Sequence, residues 1–226
     1  MDKVISVSPG IVEAYKTNFK CNTDLITNSC EYVKNMYPSK IDSNYIKIIH
    51  HGIVSSSRRL ELLIEMMKYL DNDKYELNLM LTYSTFSKLY LQKLKFKSIR
   101  LNIKFLKPVP RIEIIPFTNQ FDIGVHFIPP TNFNLKYGLG NKFFEFVQSR
   151  LAVVIGPDIE MSKYVRKYNL GIISNDWSAE SLANSIKSTN TTKLMFFKKQ
   201  AHKHAKELSS LTNDGLFKNI IKAYTK

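Results

Sequence analysis

The chain has 226 residues, of which 44% are hydrophobic, so it can bury a sizeable core as one large domain or two small ones. Lysine and arginine number 33 against 19 aspartates and glutamates, and the resulting net charge of +14 favours anionic partners: nucleic acid, phosphorylated small molecules or an anionic membrane surface. The composition argues against disorder, the apolar runs are too short to cross a bilayer, and the start of the chain lacks a signal-peptide pattern, so we expect a cytoplasmic protein.

Two further classes of protein are excluded by motif. Cys21 and Cys30 stand outside any CxxC spacing, which argues against a disulfide framework or a zinc site and favours a reducing compartment. The sequence carries no helix-turn-helix spacing, no zinc-finger ligands and no aromatic and glycine pattern of an RNA-recognition sheet. We therefore expect no nucleic-acid partner.

Strand-like and helical segments alternate along most of the chain. Strands are predicted at residues 3–8, 24–29, 45–52, 75–83, 99–106, 111–117, 121–128, 151–156 and 170–174. Helices are predicted at residues 11–19, 56–70, 85–96, 141–150, 159–168 and 178–188. Several strands are apolar on both faces, as buried parallel strands are. The alternation predicts an α/β fold with a Rossmann-like, doubly wound parallel sheet, followed from residue 191 by a helical, lysine-rich C-terminal segment.

Ligands of such a sheet bind at the carboxyl ends of its strands, and two strand ends carry suitable residues. Gly52 lets the backbone turn after one strand, and Arg58 and Arg59 then present forked donors that suit phosphate. The alternative for this stretch is a loop with two solvated arginines. Farther along, Gly138 and Gly140 precede a helix whose free amides and positive dipole end would attract an anion.

Three stretches, taken in this order, resemble the C-terminal, donor-binding half of a GT-B glycosyltransferase, most closely the retaining enzymes of glycosyltransferase family 4 (group 1). They are VISVSPGIVEAYKTNF with LITNS, IIHHGIVSSSRRLELLIEMMKYL, and FDIGVHFIPPTNFNLKYGLGNKFFEFVQSRLAVVIGPDIEMSKYVRKYNLGIIS. The resemblance covers nearly the whole chain. It implies an inter-domain crossing segment of strand, helix and strand over residues 1–45, a nucleotide-sugar-binding Rossmann-like domain over 46–190, and C-terminal helices over 191–226.

The resemblance also implies roles for the charged residues. The basic residue six positions beyond Gly52, which grips the donor diphosphate, falls on Arg58, with Arg59 as the candidate if the loop differs by one residue. Ile53 stands where family members often carry a partner arginine. Glu145, which by sequence alone is either a solvated helix residue or a group directed into a cleft, is placed by the resemblance on the ribose hydroxyls, because a carboxylate offers two acceptors to a vicinal diol.

The sugar and base contacts are implied less uniformly. The backbone amides of Gly138, Leu139, Gly140 and Asn141 would bind the distal phosphate and the sugar. Tyr137 stands where many members carry a second glutamate, so some sugar contacts must differ. Pro116 and Phe117 lie at a predicted strand end where the family seats the nucleobase.

The implied activity is that of a hexosyltransferase. It would transfer a sugar with retention from a nucleotide-diphosphate sugar to a glycan or lipid-linked glycan of an envelope or capsule, with the donor as a substrate and no cofactor or metal. The acceptor-binding N-terminal half of such enzymes has no counterpart here, so we expect an excised domain or a half that pairs with a separate chain, inactive alone. The alternative is a non-catalytic module that binds a nucleotide or another anion on a degenerate GT-B half.

Four histidines and a basic segment stand apart from these roles. His50 and His51 end a strand beside the predicted site, where they either contact a ligand or pack. His202 and His204 are two residues apart and so do not share a helical face, which argues against a metal site. The basic, amphipathic residues 191–208 either pack on the domain or bind an anionic membrane surface, which would place the protein peripherally on its inner face.

Overall fold

The computed structural model describes residues 3–224, and its centre is a parallel β-sheet flanked by helices. The strands are β1 (Val4–Ser6), β2 (Thr23–Leu25), β3 (Ile46–Ile53), β4 (Tyr75–Thr82), β5 (Ile103–Leu106), β6 (Ile123–His126), β7 (Ala152–Ile155) and β8 (Gly171–Ile173). The helices are α1 (Pro9–Phe19), α2 (Glu61–Met67), α3 (Lys88–Lys97), α4 (Ile114–Thr118), α5 (Phe133–Tyr137), α6 (Asn141–Gln148), α7 (Ile159–Tyr168), α8 (Ala179–Lys187), α9 (Thr191–His204) and α10 (Ser210–Tyr224).

The main sheet has six parallel strands in the order β5-β4-β3-β6-β7-β8. Its strand order reverses between β3 and β6, which pair through Ile48 with Ile123 and Ile49 with Gly124. This confirms the predicted doubly wound sheet. A crevice forms at such a reversal because the loops after the two central strands lead to opposite faces of the sheet.

Apolar side chains cover both faces of the sheet, as the sequence pattern of the strands predicts. Ile46 and Ile48 contribute to a core shared with α2, α3 and α8, whereas Ile49 contributes to a core shared with α6 and α7. Helix α6 approaches β6 closely because Gly124 has no side chain. A Cβ atom there would lie 2.6 Å from Cδ1 of Phe146, so the glycine fixes the distance between α6 and the sheet.

Strands β1 and β2 form a separate two-stranded parallel sheet joined by α1. Buried cations tie the chain after β2 to the main domain. The fully buried Arg150 donates from Nη2 to the carbonyl oxygen of Val33 at 2.7 Å. Lys198, also fully buried, donates to Ser39 Oγ at 2.8 Å and lies 3.4 Å from Asp122. The sheet of β1 and β2 itself is joined to the loop before α6 and to the start of α6, through Ser8 Oγ to the carbonyl oxygen of Tyr137 and through the side chains of Asn28 and Asn141.

The C-terminal region is helical, as predicted, and its first helix packs on the domain. Helix α9 buries Leu194, Phe197 and Ala201. Of the two interpretations of this basic segment, the burial agrees with packing on the domain. His202 Nδ1 lies 3.2 Å from the carbonyl oxygen of Met36 and accepts from Arg150 Nε, so this histidine has a structural role.

The strand prediction for residues 111–117 is wrong. Residues Arg111–Glu113 form a 3-10 turn and Ile114–Thr118 form α4. Pro116 is tolerated because it lies in the first turn of α4, where backbone N–H groups have no partner within the helix. Thr118 Oγ1 further stabilises the helix by donating to the carbonyl oxygen of Ile114 at 2.7 Å.

One helical prediction is corrected, and one helix was not predicted. The predicted helix 56–70 is divided into a 3-10 turn, Ser56–Arg58, and α2, because Arg59 adopts a left-handed conformation with φ of 51°. The sequence analysis did not predict α5, whose Asn132 cap accepts from the backbone N–H of Leu135 at 2.9 Å.

Candidate functional site

A cavity of about 600 Å³ lies at the carboxyl ends of β3 and β6, where the strand order reverses. It is lined by the turn after β3, the end of β6, the start of α6 with α5 and the loop before it, and residues of α4 and α7. The crossing segment contributes Val7, Ile11 and Asn28. The volume falls within the range of pockets that bind small ligands and cofactors.

Most of the residues predicted from sequence line this cavity together. They are Gly52, Arg58, Gly138, Leu139, Gly140, Asn141 and Glu145. These residues come from positions up to 93 apart in the chain, from Gly52 to Glu145, and the reversal of strand order brings them to one crevice. Arg59, Pro116, Phe117 and Tyr137 lie outside the lining.

The turn after β3 places Arg58 against the cavity. Gly52 has φ of 136°, a conformation that L-residues rarely adopt, and this lets the strand turn into the 3-10 turn Ser56–Arg58. The half-buried Arg58 has a pKa lowered by burial. Arg59, by contrast, is exposed and donates from Nε to Glu61 at 2.7 Å, so its guanidinium points to α2.

The N-terminus of α6 faces the cavity without a side-chain cap. Gly140 is the cap residue and has extended backbone. Helix α6 begins at Asn141, as predicted, and the side-chain amide of Asn141 accepts from Asn28 of the crossing segment. Backbone N–H groups at an uncapped helix start and the positive end of the helix dipole both favour an anion at this point.

Lys142 is a site residue that the sequence analysis missed. Its side chain is 9% exposed and lines the cavity, and a Cβ atom at Gly52 would lie 2.6 Å from its Nζ atom. Burial lowers the pKa of Lys142 to about 7, with a further contribution from the charge of Arg58. The sequence does contain an indication of this role, because Lys142 lies three residues before Glu145 and residues i and i+3 share a helix face.

Glu145 presents its carboxylate to the cavity from the second turn of α6. Its side chain is 15% exposed, and Oε2 lies 3.5 Å from His51 Nε2. Burial raises the pKa of Glu145, while the charges of Lys142 and Arg111 oppose that rise. Because burial and Lys142 lower the pKa of His51 to about 3, His51 is neutral at pH 7 and does not form an ion pair with Glu145.

Buried histidines form the floor of the cavity on the side of the sheet. His50 Nε2, His51 Nε2 and His126 Nδ1 are buried polar atoms without a hydrogen-bond partner. Only His50 is held on its other nitrogen, with Nδ1 2.9 Å from the carbonyl oxygen of Val125. His51 and His126 line the cavity, and the His126 ring lies beneath Gly140. Buried polar atoms without partners indicate a site that is completed by a ligand or by water.

The remaining predicted residues are placed around this cavity. Tyr137 turns its ring onto Gly10 of α1, and its carbonyl oxygen accepts from Ser8 Oγ at 2.5 Å. Pro116 and Phe117 are part of α4, and Phe117 lines a different cavity beside Tyr45 and Asp122. From that segment, Ile114 reaches the candidate site, so any base contact made there by Pro116 or Phe117 stays a prediction.

Residues 3–224 contain neither a candidate metal site nor a candidate membrane-spanning helix. No group of three or more His, Cys, Asp or Glu side chains is arranged to hold a metal ion within that range. Among the helices of the same range, none combines the length and the apolar character needed to cross a membrane.

Solved structures share this fold, although their sequences differ widely. A TarM mutant from S. aureus in complex with Fondaparinux, alpha-GlcNAc-glycerol and UDP superimposes with a TM-score of 0.76 at 17% identity, covering 97% of this chain and 43% of TarM. Anabaena HepE in complex with UDP and glucose gives 0.80 at 15% identity, covering 98% and 63%. Sucrose-phosphate synthase from Thermosynechococcus elongatus gives 0.77 at 15% identity, covering 98% and 59%.

These matches establish the Rossmann-like fold of a GT-B half for this chain. The chain spans between 43% and 63% of the length of the three proteins. Comparison of the sequence with protein-family models and with curated proteins gives no significant match.

Proposed function

We propose that the cavity binds a nucleotide-diphosphate sugar and that the chain is the donor-binding half of a glycosyltransferase. The observation that carries this proposal is the arrangement of charge in one cavity. Arg58 and the uncapped start of α6 lie on one side, and the carboxylate of Glu145 lies one helical turn farther along α6. The cations suit a diphosphate and the carboxylate suits a ribose diol, as the two ends of a nucleoside diphosphate require.

The bound nucleotides of two fold neighbours support the same assignment. HepE is known in complex with UDP-glucose and the TarM mutant in complex with UDP, and this chain shares 17% identity with each. At that identity the residues themselves carry the argument. Arg58, Glu145 and the Gly138–Asn141 loop meet in the crevice where doubly wound folds bind ligands.

In the proposed reaction, the chain stabilises the leaving group. Negative charge develops on the diphosphate as the bond to the sugar breaks, and Arg58 and the α6 amides are donors already oriented toward it. Transfer proceeds with retention at the anomeric carbon, and the donor phosphate helps to receive the proton of the acceptor. The acceptor is a glycan or a lipid-linked glycan, and the net charge of +14 favours the approach to an anionic membrane that carries it.

We further propose that an acceptor-binding half, on the same or a separate chain, covers the cavity. Two strands are few for an independent sheet, and β1 and β2 have open edges. Ile5 of β1 is 44% exposed, and helix α10, joined to the chain after β2 by Asn213 and Thr27, exposes Leu216 at 49% and Phe217 at 48%. Exposed apolar side chains on neighbouring elements mark a surface that another domain would bury.

A non-catalytic module is the second candidate function. It is favoured by Tyr137, whose ring packs on Gly10 and leaves no carboxylate at the position that the resemblance assigns to the sugar. Such a module would bind the nucleotide part with the same residues and transfer nothing.

Thermal unfolding with UDP, GDP, CDP and their glucose conjugates tests the donor site, because a ligand that binds only the folded protein raises the midpoint of unfolding. We expect one nucleotide series to raise it, and the matching nucleoside, added as a control, to raise it less. Release of nucleotide diphosphate from the sugar conjugate, with and without glycolipid acceptors, separates the two candidates. Turnover that appears only when an acceptor-binding half is added indicates the enzyme, and binding without turnover in its presence indicates the module. No ligand-dependent stabilisation by any member of the panel would contradict both.

A further inference from the structure

The position of Lys142 differs from that of an ordinary helix lysine. It lies in the first turn of α6, where side chains are commonly solvated, yet it is 9% exposed and extends over Gly52 at the end of β3. A Cβ atom at Gly52 would lie 2.6 Å from Lys142 Nζ and 3.6 Å from Arg58 Nη1. The ammonium and the guanidinium therefore meet above one glycine, at the same wall of the cavity.

The charges of Lys142 and Arg58 repel each other, and an anion bound between them would offset that repulsion. Ile53, directly after Gly52, is 58% exposed and adds no charge. Glu145 is the anionic group that acts on Lys142, but its Oε2 atom lies 3.5 Å from His51 Nε2 and, among the described residues, it forms no ion pair with the ammonium. A buried lysine beside an arginine at one wall of an open cavity is the arrangement expected for a shared anionic ligand.

We propose that Lys142 is a second phosphate-binding cation of this site and that it takes up a proton when the diphosphate binds. The proposal rests on the proposed function, since the diphosphate is that of a nucleotide sugar. Lys142 supplies the charge that Ile53 does not, and it approaches the phosphates from the helix side while Arg58 approaches from the turn after β3. The pair would hold the diphosphate between them in front of the α6 amides.

The direction of the proton exchange follows from the groups around Lys142. Its pKa of about 7 in the free protein leaves the ammonium about half protonated at pH 7. A doubly charged diphosphate stabilises the protonated form and raises the pKa, so binding takes a proton from solvent. Affinity should then fall as pH rises above 7, by up to about tenfold per pH unit, because the free protein must first be protonated.

One neighbouring group also titrates near this range: Asp158 lines the cavity, and burial raises its pKa to about 6. Uptake by Asp158 would decrease from pH 7 to 8, whereas uptake by Lys142 increases over that range. His50 and His126 are buried with pKa values well below 6.5, and His51 has a pKa of about 3, so all three are neutral throughout the range from pH 7 to 8.5. Arg58 stays charged over that range because even a lowered arginine pKa lies far above it. Burial raises the pKa of Glu145, and the charge of Lys142 opposes that rise.

The experiment is isothermal titration calorimetry with UDP-glucose, GDP-glucose and CDP-glucose in buffers of different ionisation enthalpy. These probes are chosen because a diphosphate esterified at both ends has no proton that titrates near neutral pH, unlike a free nucleotide diphosphate. For the conjugate that binds, we expect uptake of about half a proton at pH 7 and about nine-tenths at pH 8, as a free-state pKa of about 7 requires.

Three variants complete the design. Lys142→Arg keeps a permanent charge, so binding should persist within about threefold while the proton uptake disappears. Lys142→Met should weaken binding tenfold or more and also abolish the uptake. Arg59→Ala removes a cation that is bonded to Glu61 outside the cavity, and it should leave both the affinity and the uptake unchanged.

The outcomes separate this inference from the function on which it rests. Binding by the parent protein without proton uptake, or equal binding by Lys142→Met, overturns the role of Lys142 and leaves the donor site intact. If the parent protein binds none of the three conjugates and none of UDP, GDP and CDP, the proposed function and this inference are both overturned.

Discussion

Replacing Glu145 by glutamine separates the binding role of this residue from its effect on folding. The carboxylate is largely buried, at 15% exposure, and burial raises its pKa. A folded-state pKa above the unfolded value means that this group stabilises the fold at acidic pH and that the stabilisation is lost as pH rises through the folded pKa. At pH 7 the charged form therefore opposes folding, and neutral glutamine of the same shape is expected to keep or raise the midpoint of thermal unfolding.

The same substitution should weaken the nucleotide. A hydrogen bond to a charged group contributes about 1.5 to 3 kcal/mol, so loss of the ribose contacts corresponds to a dissociation constant larger by roughly 10-fold to 150-fold. The exposed fraction of the Glu145 side chain places the effect toward the lower half of that range, because water partly screens the interaction. A more stable protein that binds its ligand less well is difficult to explain by misfolding.

Calorimetry with two nucleotides gives the matched test. The parent protein is titrated with the nucleoside diphosphate that binds and with its 2'-deoxy analogue, and Glu145→Gln is titrated with the same pair. We expect the parent to prefer the ribose form and the variant to have lost that preference, since a coupling energy appears only when the residue and the hydroxyl interact. An equal preference in parent and variant would refute the assignment of Glu145 to the ribose.

Three further predictions concern Arg58, Gly52 and Lys142. Arg58→Gln should raise the dissociation constant for the diphosphate roughly 10-fold or more and leave that for the nucleoside unchanged, as measured by calorimetry. Arg59→Gln is the control, and a larger effect of this variant would place the phosphate contact one residue later. Gly52→Ala should destabilise the fold by roughly 1 to 3 kcal/mol, because the φ angle of Gly52 is 136° and the new Cβ would lie 2.6 Å from Lys142 Nζ. An unchanged midpoint of denaturant unfolding would contradict that geometry. The folded-state pKa of Lys142 is about 7 and its ordinary value is 10.5, so the charged form destabilises the fold by at most about 5 kcal/mol below pH 7 and by progressively less up to pH 10.5. The stability of the parent protein should therefore rise with pH over this range, and Lys142→Met should remove that rise. Parallel stability profiles of parent and variant would contradict this prediction.

The sheet could be predicted because its signal is repeated along the chain. The central strands β3, β4, β6 and β7 are largely buried, the edge strands β5 and β8 only partly so. The apolar runs alternate with helices, as they do in parallel α/β sheets. The strand prediction failed at residues 111–117 because apolar and polar residues in RIEIIPF alternate as they do in a strand. The proline there reads as a strand end in sequence, whereas the first turn of α4 accommodates it equally well.

The site was predictable where the backbone creates it and less so where packing does. Gly52 and the start of α6 at Asn141 follow from local turn and helix signals. Burial of Lys142 depends on how closely α6 approaches β3, which Gly52 and Gly124 set from distant positions in the chain. A lysine in the first turn of a helix reads as solvated until that approach is known, so sequence reasoning passed over it.

We propose that one cavity holds the nucleoside diphosphate between Arg58, the start of α6 and Glu145. A crystal structure of this protein with the nucleotide that stabilises it would show this directly. We expect phosphate oxygens within hydrogen-bond distance of Arg58 and of the α6 backbone amides, and ribose hydroxyls within hydrogen-bond distance of Glu145. A nucleotide bound instead in the cavity beside Phe117 and Asp122, or one that leaves Glu145 without a contact, would contradict it.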